Sequence, residues 1–128
     1  MTTLGAYGYL LWGNMFDIPY RESILSVLPI VDEFTIVTDR RFNDGTIESL
    51  KLLTNEYNKI KLIIAEIDLA NPGVDGATKA LARRHCNSDI LLQIDLDEVL
   101  REQDYLKISK LVENWNLHDR IIGTGVVQ

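Results

Sequence analysis

The stretch Ile90–Leu100, with the sequence ILLQIDLDEVL, decides the fold. Its mostly apolar first part, residues 89–94, is short and typical of a β-strand that is buried on both faces. In an extended backbone, Asp95 and Asp97 would lie on one side and Leu96 on the other. Carboxylates at the carboxyl end of such a strand stand where open α/β sheets bind their ligands. The acids that follow the strand are Asp95, Asp97 and Glu98.

Three acids this close together repel one another unless a cation or hydrogen-bond donors neutralise them. Two hard oxygen ligands that point the same way suit Mg²⁺ or Mn²⁺, especially an ion shared with substrate phosphates. We therefore predict a divalent metal site at Asp95 and Asp97. The alternative is that the strand runs into a helix, where Asp97 and Glu98 would be favourable first-turn acids.

Composition places the chain among ordinary globular proteins. Its 128 residues, of which 46% are hydrophobic and 25% charged, predict a single domain over residues 1–128. The net charge of −6, with no cluster of basic and aromatic residues, argues against nucleic-acid binding. An acidic protein can still bind an anionic ligand through a metal.

The cysteine content and the amino-terminal segment bear on the compartment. The single Cys86 excludes an internal disulfide framework, and we predict that it is a small buried apolar residue. Residues 1–15 are apolar but lack a basic region and are too short to span a bilayer. We therefore predict a cytoplasmic protein with no transmembrane segment.

Strand and helix patterns alternate along the chain. We predict that Asp17 caps the first helix, that Pro29 ends it, and that Trp12 lies in the core. The alternation implies a three-layer α/β/α fold, with a mostly parallel sheet between helices. The predicted strands are residues 6–13, 33–38, 61–65, 89–94 and 121–127, and the predicted helices are residues 18–28, 46–57, 77–86 and 103–115.

Three segments together resemble the nucleotide-binding half of a family 2 glycosyltransferase with the GT-A fold. Residues 21–34 are similar to that family's first helix and the entry to its second strand. Residues 36–46 are similar to its V-D-x-G-S-T-D-G-T loop, although RRFN at 40–43 replaces small residues. Residues 88–98 are similar to its G-D-W-I-L-x-L-D-A-D-E segment, which carries the metal motif. The resemblance covers residues 6–105.

The resemblance implies a Rossmann-like fold and a role for each matching residue. Asp39 would accept a hydrogen bond from uracil or another base, and Asp44 would lie near the base or order its loop. Asp95 would contact the ribose or a metal-bound water, and Asp97 would ligate the Mn²⁺ or Mg²⁺ that bridges the diphosphate. Lys79 stands where many members have a basic residue, although Ala80 replaces the usual Asn.

Structural explanations of the same residues stay open. Asp39 would be an ordinary loop acid, and Asp44 with Gly45 would form a turn. Lys79 would be a solvated surface group. The adjacent arginines Arg40 and Arg41 would either be solvated or reach phosphates or carboxylates.

The resemblance implies a glycosyltransferase, or its donor-binding domain, with a nucleotide-diphospho-sugar donor and an unknown acceptor. Members are usually longer, and only 30 residues follow Glu98 here, so no catalytic base is identifiable. The chain would be a truncated donor-binding half, an excised domain, or a minimal relative that takes its acceptor surface from a partner. The last predicted strand would be a sheet edge that needs cover, so self-association into a homo-oligomer is also expected.

Other functions fit parts of the pattern. The first is a non-catalytic nucleotide-binding module of the same fold. A receiver-type signalling domain would need an acidic pair after its first strand, where Gly13 and Asn14 stand. A phosphatase of the haloacid dehalogenase type would need the motif at residues 95–100 on its first strand, with further catalytic residues downstream.

Overall fold

Four apolar runs of the chain pair into a parallel β-sheet. The computed structural model describes residues 2–12 and 17–114, and within them the strand order is β3-β2-β1-β4. All three pairings are parallel, as the alternation of strands and helices predicts. The strands are β1 (Leu4–Leu10), β2 (Glu33–Asp39), β3 (Ile60–Ala65) and β4 (Ile90–Gln93).

Each connection between described strands contains a helix, and a further helix follows β4. A 3₁₀ turn at Leu28–Ile30 extends the first helix, so Pro29 lies inside this turn and not directly after it. The helices are α1 (Tyr20–Val27), α2 (Thr46–Glu56), α3 (Val74–Arg84) and α4 (Glu102–Glu113). These bounds match the predicted helices within three residues at each end.

The helices form two unequal layers over the sheet. Alternate strand residues such as Ala6, Phe34 and Ile36 face a large cluster with α1, α2 and α4. The intervening residues, including Tyr7 and Val37, face a smaller cluster with α3. The predicted three-layer α/β/α architecture with a parallel sheet is therefore confirmed, and the fold is Rossmann-like.

The order of the strands creates a switch point beside β1. The chain moves from β1 to β2 to β3 in one direction, and then crosses back to place β4 on the other side of β1. Right-handed crossovers put α1 and α2 on one face and α3 on the opposite face. Ligands of open α/β sheets bind at the carboxyl ends of the strands where this reversal occurs.

Strand β4, which contains the apolar part of Ile90–Leu100, was predicted to be buried on both faces. Within the described residues β4 pairs only with β1 and forms an edge, and its four side chains are half-buried or exposed. The prediction that both of its faces are buried is therefore wrong. An apolar run indicates that a strand is hydrophobic, but it does not determine the place of that strand in the sheet.

Two predictions near the end of β1 are wrong. Trp12 is 41% exposed, and it lies in a turn beyond the strand. Asp17 makes no cap, because Pro19 holds the N-cap position without a side-chain hydrogen bond.

Cys86 is half-buried, and its thiol lies 3.5 Å from the Thr35 hydroxyl.

Some predictions fall on residues outside the described ranges. Residue 13, the end of the first predicted strand, and the whole last predicted strand at 121–127 are among them. Within residues 2–12 and 17–114, no helix has both the length and the hydropathy that crossing a bilayer requires.

Candidate functional site

The three acids of the deciding stretch lie on a turn directly after β4. The Ile94 amide donates to the Tyr7 carbonyl at 2.9 Å, which continues the strand pairing by one residue. The Glu98 amide then donates to the Asp95 carbonyl at 2.9 Å and closes the turn. The backbone is therefore turned here, whereas the sequence predicted an extended segment.

Burial separates the side chains of this turn. Ile94 is 2% exposed and Leu96 is 3% exposed, so both anchor the turn in the large core cluster. Asp95 and Asp97 are exposed, and Glu98 is half-buried. Leu96 therefore points away from the two aspartates, as predicted. The reason is that Leu96 is buried on a turn, and not that the backbone is extended. We call Asp95, Asp97 and Glu98 the acidic turn.

Gly8 of β1 permits the close approach of the acidic turn to the sheet. A Cβ atom at this position would lie 2.8 Å from the Ile94 carbonyl oxygen and 3.2 Å from Leu96 Cδ2. A backbone oxygen cannot move away without displacing its whole segment. A side chain at residue 8 would therefore push the start of the acidic turn outward.

Tyr9 connects the acidic turn to the amino end of α3. Its hydroxyl donates to Asp75 Oδ1 at 2.9 Å. Burial, this hydrogen bond and the negative charges of Asp75 and Asp95 together raise the pKa of Tyr9 to about 12. Asp75, Tyr9 and Asp95 therefore share one strongly negative region at the carboxyl edge of the sheet.

The acidic turn has the donor set of a divalent cation site. One carboxylate oxygen from each of its three residues lies within 4.8 Å of the others. Ligand oxygens on opposite sides of Mg²⁺ are about 4.2 Å apart, twice the usual metal–oxygen distance. Adjacent ligand oxygens of an octahedral site are about 3 Å apart, so three oxygens within 4.8 Å of one another are on the scale of a single ion. The residues therefore fit a hard cation such as Mg²⁺ or Mn²⁺.

Asp39 ends β2 at the same edge of the sheet, but its carboxylate is fully buried. Oδ1 accepts from the backbone amide of Arg41 at 2.9 Å and from its Nε at 3.0 Å, and Oδ2 accepts from Nη2 at 2.7 Å. The Ile67 amide donates to Oδ2 at 2.9 Å. The hydrogen bonds from Arg41 lower the pKa of Asp39 to about 2.

The other predicted nucleotide ligands stand elsewhere along this edge. Asp44 accepts a hydrogen bond from the Thr46 amide at 3.1 Å, at the start of α2. Lys79 lies one helical turn after Asp75 and one before Arg83, so these three residues share a face of α3. Because Asp75 contacts Tyr9 and Arg83 contacts Tyr7, that face is directed toward β1.

Sequence patterns missed two features of this site and left the contacts of a third residue, Arg41, undecided. Tyr9 and Asp75 are 66 residues apart, and no local motif links them. For Arg41 the sequence left open a solvated group or one that reaches a phosphate or a carboxylate, and the structure shows it bound to the Asp39 carboxylate. The contact between the exposed ring of Trp12 and the half-buried ring of Phe42 was also missed; their centroids are 5.8 Å apart in an edge-to-face arrangement.

Comparison with known structures supports the fold assignment. No protein-family model and no curated protein matches the sequence. The fold is similar to a crystal structure of S. aureus TarS, with a TM-score of 0.64 and 14% identity over 96% of this chain. It is also similar to the crystal structure of S. aureus TarS 1-349, with a TM-score of 0.61 and 12% identity over 94% of this chain.

The chain spans 23% of the first of these structures and 38% of the second. TarS is a glycosyltransferase, and at this identity the likeness concerns the fold alone. The chain therefore has a glycosyltransferase-like α/β fold, and membership of the specific family stays a prediction.

Proposed function

We propose that this chain binds a nucleotide-diphospho-sugar through a divalent cation held by the acidic turn, as the donor-binding part of a glycosyltransferase. The observation that carries the proposal is the position of three convergent carboxylates at the switch point of a parallel sheet. The glycosyltransferase-like fold supports the same conclusion.

The charge of the site explains why a cation would be required. Asp95, Asp97 and Glu98 together with nearby Asp75 would repel a diphosphate if they were left uncompensated. A divalent cation would neutralise part of this charge and would act as a Lewis acid on the leaving nucleoside diphosphate. Exposure of Asp95 and Asp97 leaves room for phosphate oxygens beside them.

The surrounding residues would hold the acidic turn in place. Burial of Leu96 fixes the backbone between the two aspartates, and Gly8 admits it next to β1. Among the described residues, Lys79 makes no hydrogen bond or ion pair, so its ammonium group is available to a phosphate. Tyr9 would hold Asp75 through its hydroxyl and keep that carboxylate from moving freely.

Replacement of Asp97 by alanine tests the proposal. We expect Asp97→Ala to weaken Mn²⁺-dependent binding of UDP and UDP-sugars about tenfold or more, because one of three charged ligands is lost. The melting temperature should stay unchanged, since the side chain is exposed. Isothermal titration calorimetry with and without Mn²⁺ measures the effect.

Glu113→Ala is the matched control. It removes the same charge from an exposed residue at the far end of α4, so nucleotide affinity should not change. Equal affinities of the wild type and Asp97→Ala for Mn²⁺–UDP would contradict the proposed metal site.

A second assay separates a transferase from a non-catalytic module of the same fold. UDP- and GDP-sugars are incubated with the protein and Mn²⁺, and release of the nucleoside diphosphate is followed. Release that Asp97→Ala abolishes supports the enzyme, whereas binding without release supports the module.

A further inference from the structure

The strongest unassigned feature is an arginine whose position is fixed by a buried carboxylate. Asp39 is fully buried and holds Arg41 through two parallel side-chain contacts, Nε to Oδ1 at 3.0 Å and Nη2 to Oδ2 at 2.7 Å. Nη2 also donates to the Ile67 carbonyl. Such a two-point contact fixes the plane of the guanidinium and not only its distance.

One edge of this guanidinium remains open. The Arg41 side chain is 49% exposed, and within the described residues its Nη1 makes no hydrogen bond. A rigid, half-exposed group with two unused N–H donors is prepared to bind an acceptor with little loss of side-chain entropy.

The charges around Arg41 select the kind of acceptor. The hydrogen bond with Asp39 raises the pKa of Arg41, and the negative charges of Asp39, Glu66 and Asp68 act in the same direction. Three carboxylates thus act on one guanidinium, and the local charge is negative even when the adjacent Arg40 is included. A phosphate would be repelled there, whereas a neutral carbonyl oxygen would accept the hydrogen bonds without that cost.

An aromatic surface lies beside the same loop. Phe42 follows Arg41 directly, and its ring contacts Trp12, which is 41% exposed. Trp12 follows β1 and Phe42 follows β2, so the ring pair stands at the carboxyl edge of the sheet. Exposed aromatic rings stack on nucleobases without strong preference for one base.

The distance from the acidic turn fits the parts of a nucleotide. Asp39 ends β2 and the acidic turn follows β4, with β1 between them. Two strand spacings amount to about 10 Å. A ribose and its phosphates bridge a gap of that order, so a diphosphate at the acidic turn would place its base near Arg41.

We propose that Arg41, held by Asp39, is a specificity-determining residue that donates hydrogen bonds from Nη1 to a ring carbonyl of the nucleobase. Asp39 is then a positioning residue that acts through Arg41 and does not touch the base. This inference rests on the proposed function, since it requires a nucleotide at the sheet edge. Uracil carries such carbonyl groups and adenine carries none.

The test measures the affinities of UDP, ADP and inorganic pyrophosphate by calorimetry in the presence of Mn²⁺. We expect the wild type to prefer UDP over ADP. In Arg41→Ala, UDP should bind about tenfold more weakly, which corresponds to one hydrogen bond to a charged group. ADP and pyrophosphate affinities should not change, because neither ligand presents a ring carbonyl.

Matched variants control for charge and for loop structure. Arg40→Ala removes the same charge from the neighbouring exposed arginine and should leave all three affinities unchanged. Arg41→Lys keeps the charge but loses the two-point contact, so UDP should still bind more weakly than to the wild type. Trp12→Ala should weaken UDP and ADP equally, because stacking does not distinguish the bases.

The outcomes separate this inference from the proposed function. Failure of the wild type to bind any of the three probes with Mn²⁺ would overturn both. Normal UDP binding to a folded Arg41→Ala and Arg41→Lys would overturn only the role of Arg41. Tighter UDP binding to Arg41→Ala would mean that Arg41 blocks access of the base to Asp39. This result would also overturn the proposed role of Arg41.

Discussion

At the scale of single residues, the Asp39 carboxylate shows how a strand-terminal acid acquires its role from its surroundings. Its position at the end of β2 resembles that of a base-binding acid, yet its oxygens accept hydrogen bonds from Arg41 and from the Ile67 amide. Stabilisation of the charged form follows directly from these donors, and it lowers the pKa to about 2 from an ordinary 3.8.

This pKa has a consequence for stability at low pH. Because the pKa of Asp39 is lower in the folded than in the unfolded state, its contribution is complete above pH 4 and is lost as the pH falls towards 2. The shift corresponds to about 2 kcal/mol. We expect Asp39 to titrate near 2 in the wild type and at a higher pH in Arg41→Ala, as measured by carboxyl-carbon NMR.

Arg40→Ala provides the control for that titration, since it removes an adjacent positive charge without touching Asp39. The Asp39 midpoint should stay near 2 in this variant. A wild-type midpoint near 3.8 would show that the contact with Arg41 does not persist in solution.

At the scale of elements, the contact between β1 and the end of β4 determines where the acidic turn stands. Gly8 has no room for a Cβ atom because the Ile94 carbonyl and the Leu96 side chain approach it. Gly8→Ala should lower the free energy of unfolding by about 1–3 kcal/mol, as other overpacked sites do. It should also weaken Mn²⁺ binding, because the acidic turn is displaced.

Gly76→Ala is the matched control for this substitution. Gly76 lies in α3, and an added Cβ atom would meet nothing within 4 Å. Alanine is favoured over glycine in a helix by up to about 1 kcal/mol, so this variant should be slightly stabilised. Urea unfolding and Mn²⁺ titration measure both variants, and equal stability of Gly8→Ala and the wild type would rule out the crowded contact.

At the scale of the whole molecule, the two faces of the sheet contribute unequally to stability. Among the described residues, three helices pack on one face around the large cluster, and α3 packs on the other. The edge that carries the acidic turn belongs to both faces, because Leu96 joins the large cluster while Asp95 lies near Tyr9 on the α3 side. Stability of the site therefore depends on the fold as a unit.

Two adjacent leucines of α2 test which residues contribute to the stability of the large cluster. Leu53 is fully buried in the large cluster, and Leu53→Ala should lower the free energy of unfolding by about 2–5 kcal/mol. Leu52 is 67% exposed, and Leu52→Ala should change the free energy of unfolding by less than about 0.5 kcal/mol. Urea denaturation compares the two, and similar losses in both variants would contradict the assigned core.

The sequence alone determined the alternation of strands and helices, the parallel sheet and the acids at the end of an apolar strand. Each of these depends on hydrophobic periodicity or on neighbours a few residues away, which the sequence displays directly. The separation of Leu96 from Asp95 and Asp97 was predictable for the same reason, because burying an apolar side chain leaves its charged neighbours outside.

The tertiary structure alone decided which strand is an edge within residues 2–12 and 17–114, and which groups meet at the site. The place of β4 beside β1 and the contact of Tyr9 with Asp75 join residues far apart in the chain, so no local pattern encodes them. The role of Asp39 was decided in the same way: both Arg41 and an amide 28 residues later bind its carboxylate, and only the folded chain brings these donors together. Chain crossovers and long-range packing set these contacts, and they determine what the acids at the sheet edge can bind.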